Sequence, residues 1–331
     1  MAEVISLREP RDRAEPGQCQ AITASGRRCR NRSVGDTGFC RVHLPRGHER
    51  IGPFDAATVR SALEFLRRRL TGDYEIDEYG FDRELTEQVL APLMRPLERR
   101  YWRIDWRGLE NIPTEGAALL VANHSGTVPV DSVVMKFGVY EHHPVHRHVR
   151  LLAADLAFRM PFVGPLARKT GNTLASPEDS LRMLQQGELV GVFPEGYKGV
   201  GKGFRERYRL QRFGRGGAIE LALRARVPMI PVAIVGAEEI YPMVANARLI
   251  ARLGGFPYFP ITPFFPWLGP LGAIPLPSKW IVEFGEPIHT EDVDEDAWQD
   301  AMLVFETTDR IRDQIQQMLY RNLMARRSVF F

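Results

Sequence analysis

Residues 117–131 read AALLVANHSGTVPVD. The first seven form a short apolar run, the pattern of a strand buried on both faces. Runs of the same kind recur along the chain: VRLLAAD at 149–155, ELVGVFP at 188–194, MIPVAIVG at 229–236 and WIVEFG at 280–285. Helical segments are expected between them, starting near Asp131, Pro177 and Gly216. Alternation of strands and helices implies an α/β fold with a mostly parallel central sheet flanked by helices.

Working outward, Asp55 is suited to cap a helix reaching about Leu70, with Val59, Leu63, Leu66 and Leu70 on one face. A second amphipathic segment is expected over about Arg83–Arg100, with Leu85, Val89, Leu93 and Leu97 on one stripe and a kink or break at Pro92 and Pro96. Trp102, Ile104 and Trp106 alternate with charged residues, a strand signal. A long amphipathic helix is expected from about Asp294, with Trp298, Ile311, Ile315, Met318 and Leu319 apolar. No internal repeat is visible.

Chemistry gathers where the runs end. The first run leads directly into His124, and Asp131 follows seven residues later. A histidine held by a carboxylate has a fixed tautomer and a strengthened free nitrogen, the equipment for taking a proton from a hydroxyl. The run at 188–194 ends in Pro194-Glu195-Gly196 and continues into a basic, glycine-rich tract, YKGVGKGFRERYRLQRFGRG. Between them lies PFVGPLARKTGNTLAS, with Arg168 and Lys169 between glycines. Loops at strand ends are where α/β sheets bind ligands. Together these offer a base, an acid and several cations, a set suited to a phosphate-bearing substrate.

These residues carry a resemblance. Over roughly residues 95–290 the chain resembles the glycerol-3-phosphate and lysophospholipid acyltransferase superfamily, which has four blocks in order. They are Asn123-His124 with Asp131; Gly164-Pro165-Leu166-Ala167-Arg168; Phe193-Pro194-Glu195-Gly196; and Val227-Pro228-Met229-Ile230-Pro231-Val232. The resemblance implies acyl transfer from acyl-CoA or acyl-carrier protein to a lipid hydroxyl, without an acyl-enzyme. It assigns His124 and Asp131 to catalysis. Asn123, Arg168, Lys169, Glu195, Gly196 and Lys198 are the expected substrate-binding residues, and backbone N–H groups near the third and fourth blocks are expected to steady the oxyanion. Two departures stand out. Six residues, not the usual four, separate His124 from Asp131, and the third block continues with Tyr197-Lys198 rather than a small residue and arginine. The stretch RYRLQRFGRGGAIELAL looks more like branches that acylate neutral glycerides or other lipid alcohols.

All three cysteines lie in CQAITASGRRCRNRSVGDTGFCRVH, residues 19–43. Cys19, Cys29, Cys40 and His43 make a complete tetrahedral zinc set, and so small a segment needs a staple to fold. It resembles small zinc-binding modules of the form CxAxTxxGxxC…CxxH, whose closed site implies structural zinc. A disulfide would leave one cysteine over.

The net charge of +3 gives no reason to expect nucleic acid as a partner, although arginines cluster at 27–32, 67–69 and 326–327. MAEVISLREPRDRAEPG lacks the apolar core of a secretory signal, so a cytoplasmic protein is expected, peripheral at the inner face of a membrane. The uncharged stretch 253–278 contains seven prolines and cannot span a bilayer as a helix. Its aromatics are suited either to a bilayer interface or to a buried lid. The expected organisation is a flexible N-terminus (1–17), a zinc module (18–44), a linker (45–54), N-terminal helices (55–100), an acyltransferase α/β domain (101–290) and a C-terminal amphipathic helix (291–331). Its partners are an acyl thioester donor and a lipid acceptor. The rival readings are a P-loop at 196–203, which lacks the closing Ser or Thr, and a zinc-dependent nucleic-acid- or protein-binding adaptor with a non-catalytic α/β domain.

Overall fold

The computed structural model describes residues 56–124, 127–214, 216–290 and 292–330. The expected zinc ligands Cys19, Cys29, Cys40 and His43 lie outside the described residues. The chain divides into a unit ending at Leu63 and a second unit, Glu64–Phe331, which holds the sheet.

The strands are β1 (Asp105–Arg107), β2 (Ala118–Ala122), β3 (Val149–Ala153), β4 (Thr173–Leu174), β5 (Leu189–Val192), β6 (Met229–Val235), β7 (Ala245–Asn246), β8 (Pro260–Ile261) and β9 (Ile281–Phe284). Seven of them form one sheet in the order β1-β9-β6-β2-β5-β3-β4, and β7 and β8 pair separately. Every neighbouring pair in the large sheet is parallel except β6 with β9. The sheet is therefore mostly parallel, as the alternation of runs and helices implies. The antiparallel setting of β9 is not visible in its sequence.

Strand β2 sits at the centre, between β5 and β6, and is buried throughout. Leu119 and Val121 face one core layer, with Val190, Met229, Ile219 and residues of helix Ala301–Ala325. Ala118, Leu120 and Ala122 face the other, with Val134, Met135 and Trp280. Burial on both faces explains why the strand reads as an unbroken apolar run. From β2 the chain goes out to β3 on one side, while β6 lies on the other. The carboxyl end of β2 is thus a switch point, where open α/β sheets bind ligands.

Three expected elements differ. Of the strand expected over 102–106, only Asp105–Arg107 is a strand, and Trp102 ends the preceding helical run. Residues 83–102 form one helical run without a break at Pro92 or Pro96, because wider π-turns at Thr86–Leu90 and Leu97–Trp102 alternate with α-turns. The Ala91 N–H reaches back five residues to Thr86 O, a π-type bond directly before Pro92, which has no N–H to donate. These turns rotate the faces. Thr86, Ala91, Glu98 and Trp102 are buried, whereas Leu93 and Leu97 of the expected stripe are exposed. At the other end, the long helix begins at Ala301, after a short 3₁₀ turn, and is capped by Asp300 rather than starting near Asp294.

Candidate active site

His124 follows β2 immediately, and its imidazole packs against Phe193, with ring centroids 4.6 Å apart. Its Nδ1 lies 2.8 Å from Asp131 Oδ2. Asp131 is fully buried in the first turn of helix Val130–His142, where its other oxygen accepts the Ser132 N–H. The six intervening residues therefore span the turn between strand and helix without separating the pair. A carboxylate on Nδ1 favours the tautomer that carries its proton there, leaving Nε2 as the basic nitrogen. The loop is fastened from above: the Thr127 hydroxyl donates to Tyr241 O, and the Tyr258 hydroxyl donates to Thr127 O. Burial, then the nearby Asp131 charge, pushes the Tyr258 phenol up, which keeps it a donor.

Glu195 stands behind His124. Its side chain is wholly buried. One oxygen accepts the His124 backbone N–H at 2.9 Å, and the other accepts the Gln211 N–H at 2.7 Å. In this arrangement both carboxylate oxygens brace the backbone of the site. Asn123 is also buried, and its amide bonds both the N–H and the C=O of Ile234, clamping β2 to β6. Gly196 has φ 54° and ψ −142°, a conformation that L side chains rarely adopt. Gly199 passes so close that a Cβ would lie 2.9 Å from the His124 Cβ and 2.7 Å from the Glu195 Cβ. The Gly196 and Gly199 N–H groups, near the expected oxyanion position, are engaged with Phe193 O and Gly196 O.

The cations are arranged differently. Lys198 is exposed on the short helix Tyr197–Val200. Arg168 and Lys169 are exposed at the end of helix Val163–Lys169, with the Arg168 guanidinium over the Phe158 ring. Buried Lys136 ties the helix carrying Asp131 to the turn after Lys169, donating to Thr170 O and Asn172. Burial, with Arg150 nearby, holds the Lys136 ammonium well below the usual lysine range. The described contacts join His124, Asp131 and Glu195 into one cluster and leave Arg168, Lys169 and Lys198 at the surface.

Lys202 is the member that sequence reasoning missed. It belongs to the basic tract, yet its side chain is buried between two carboxylates, 3.4 Å from Glu195 Oε2 and 3.0 Å from Glu238 Oε1. Nothing local distinguishes it from the solvated cations beside it.

Two cavities open at the same sheet edge. One, of about 140 Å³, is lined by Val121, Pro194, Phe213 and Ile219 and is almost wholly apolar. The second, of about 360 Å³, is lined by Leu152, Val192, Phe193, Leu221 and Trp298, with Ser176, Glu220 and Arg224 as polar groups. Phe193 thus touches both the His124 ring and the larger cavity.

Residues 103–235 match the family described as Acyltransferase, a span from just before β1 to the end of β6. An uncharacterized protein of Mycobacterium tuberculosis (strain ATCC 25618 / H37Rv) is 48% identical over 325 residues, covering 98% of this chain and 88% of that protein. One of Mycobacterium leprae (strain TN) is 50% identical over 276 residues, covering 83% and 75%. The Bos taurus protein named "DGAT1/2-independent enzyme synthesizing storage lipids" is 26% identical over 181 residues, 55% of this chain and 51% of that protein. Among solved structures, the 1-acyl-sn-glycerophosphate (LPA) acyltransferase PlsC from Thermotoga maritima aligns with a TM-score of 0.49 at 17% identity, covering 82% and 93%. With the family's domain covering the chain from β1 through β6, and with identity to the Mycobacterium tuberculosis protein running almost end to end, this chain belongs to the acyltransferase family.

Proposed function

We propose that the protein transfers a fatty acyl group from an acyl thioester, acyl-CoA or acyl-carrier protein, to a hydroxyl of a glycerolipid. The observation that carries the reading is the 2.8 Å contact between His124 Nδ1 and buried Asp131 at the end of the central strand. His124 Nε2 takes the proton of the acceptor hydroxyl as its oxygen attacks the thioester carbonyl. The tetrahedral intermediate then expels the thiolate, which takes the proton back from the imidazolium. Asp131 holds the ring and stabilises its charged form. The larger cavity, lined in part by Phe193, and the apolar one lined by Pro194 and Phe213 are suited to the acyl chain. Exposed Arg168, Lys169 and Lys198 serve an acidic headgroup or the donor's phosphates. The storage-lipid name of the bovine relative favours a mono- or diacylglycerol acceptor over a lysophospholipid.

Among the described residues no helix is long and apolar enough to cross a membrane. The contact with lipid is instead peripheral in this reading, at a cytoplasmic membrane face, through 244–276, where Leu249, Leu253, Trp267 and Leu271 are exposed. Arg248 and Arg252 beside them add charge suited to acidic lipid. Cys19, Cys29, Cys40 and His43 hold a structural zinc ion in the same reading, which metal analysis of the purified protein tests.

The decisive experiment is acyl transfer from labelled acyl-CoA, and from labelled acyl-carrier protein, to glycerol 3-phosphate, lysophosphatidic acid, monoacylglycerol, diacylglycerol and a long-chain alcohol, with wild type and His124→Ala in parallel. A labelled product lost in His124→Ala is the expected result. No transfer from either acyl-CoA or acyl-carrier protein to any acceptor overturns the reading in favour of an adaptor.

A further inference from the structure

We infer that Lys202 is a positioning residue for His124, acting through Glu195 as the cation of a buried Glu195–Lys202–Glu238 triad; this rests on the acyltransferase reading above. The Lys202, Glu195 and Glu238 side chains are 3%, 0% and 4% exposed. The Lys202 ammonium reaches Glu195 Oε2, Glu238 Oε1 and Arg209 O, an acceptor for each of its three protons. Glu195 passes the constraint on, because its other oxygen accepts the His124 backbone N–H. Glu238 anchors the far end: it lies in the turn Ala237–Glu239, directly after β6, and accepts the Tyr208 N–H.

The triad thus joins the end of β2, the basic tract and the turn after β6 at one ammonium. A buried carboxylate without a compensating charge must find a new partner, take a proton or move toward water. Without Lys202, Glu195 and Glu238 confront each other across the space it filled. Glu195 is then the member whose displacement moves His124. Asp131 holds the ring nitrogen, and the bond from the His124 backbone N–H to Glu195 holds the residue from which the ring springs. Displacement of a catalytic group by about 1 Å costs on the order of a hundredfold in rate.

The test compares wild type, Lys202→Met and Lys202→Met/Glu238→Gln. The double variant has lost one cation and one carboxyl group, so at a pH above the Glu238 titration the net charge of the buried group is unchanged, and repulsion between the carboxylates is removed. Three quantities are read: kcat and KM for acyl transfer, the thermal midpoint, and the His124 backbone amide resonance in histidine-¹⁵N-labelled protein, assigned by its loss in His124→Ala. Lys202→Met is expected to lower kcat about tenfold to a hundredfold with KM within about threefold, and to shift the His124 amide. The double variant is expected to regain the thermal midpoint while kcat and the amide shift stay perturbed. A purely structural Lys202 gives the opposite result: kcat and the amide shift recover together with the midpoint. Wild-type kcat and an unmoved amide in Lys202→Met also overturn the inference. If wild type transfers no acyl group, the acyltransferase reading fails, and the amide shift alone still decides whether Lys202 positions His124.

Discussion

His124 and Asp131 form a pair whose chemistry depends on one proton. Asp131→Asn is nearly isosteric in a fully buried site, so the fold is expected to persist. Its amide carries no charge to stabilise the imidazolium and presents a donor where an acceptor is needed. A fall in kcat of about 10²–10⁴ is expected, with little change in KM, in the transfer assay. Glu238 offers a second measurement. Burial is the largest influence on it, opposed by Lys202, and its carboxyl is pushed up to about 7; Lys202, Tyr208 and Glu195 are the groups that face it. Between the ordinary carboxylate range and about 7 the folded protein holds a proton that the unfolded chain has released. Folding stability from this group is therefore full at low pH and is lost as pH rises through about 7. Urea unfolding of wild type and Glu238→Gln from pH 5 to pH 8 is expected to show a downward slope with pH in wild type that the variant lacks.

The turn after β5 is where element geometry and chemistry meet. Gly199 has no room for a side chain, since a Cβ would press on Glu195 and on His124. Gly199→Ala is expected to lower kcat at least about tenfold, by moving the His124 backbone rather than by unfolding the domain. Kinetics alongside circular dichroism check this. At the long C-terminal helix, Asp300 accepts the Met302 and Leu303 N–H groups, and Asp300→Ala is expected to cost about 1 kcal/mol in urea unfolding. Elements buried on both faces, β2 and β5, were legible because burial leaves a continuous apolar run. The helical segment from Arg83 was legible too, but its continuity through Pro92 and Pro96 and its buried face were not, because proline marks a lost donor and not the π-turns beside it.

The segment 244–276 carries exposed apolar side chains next to the site: Leu253 is 82% exposed and Trp267 71%, while Tyr258 of the same segment bonds the loop that follows His124. Such exposure is unfavourable in water and favourable at a bilayer interface. In the proposed function, Trp267→Glu with Leu271→Glu is expected to reduce co-sedimentation with vesicles containing acidic lipid, and to leave transfer to a detergent-dispersed acceptor within about twofold, because neither side chain is in the described cluster around His124. Unchanged vesicle binding would favour a lid.

The α/β class, the run that becomes β2 and the placement of His124 at its end were determined by sequence alone. A strand buried on both sides must be apolar throughout, and a polar residue at its end is then conspicuous. Other features were decided only by the tertiary structure: the antiparallel setting of β9, the use of Asn123 as a clamp on β6 and of Glu195 as a brace, and the burial of Lys202 among cations that stay in water. The reason is physical. The His124–Glu195 and Asn123–Ile234 contacts join residues 71 and 111 positions apart. A polar side chain acquires its role from the partner that folding brings to it, which no local pattern records.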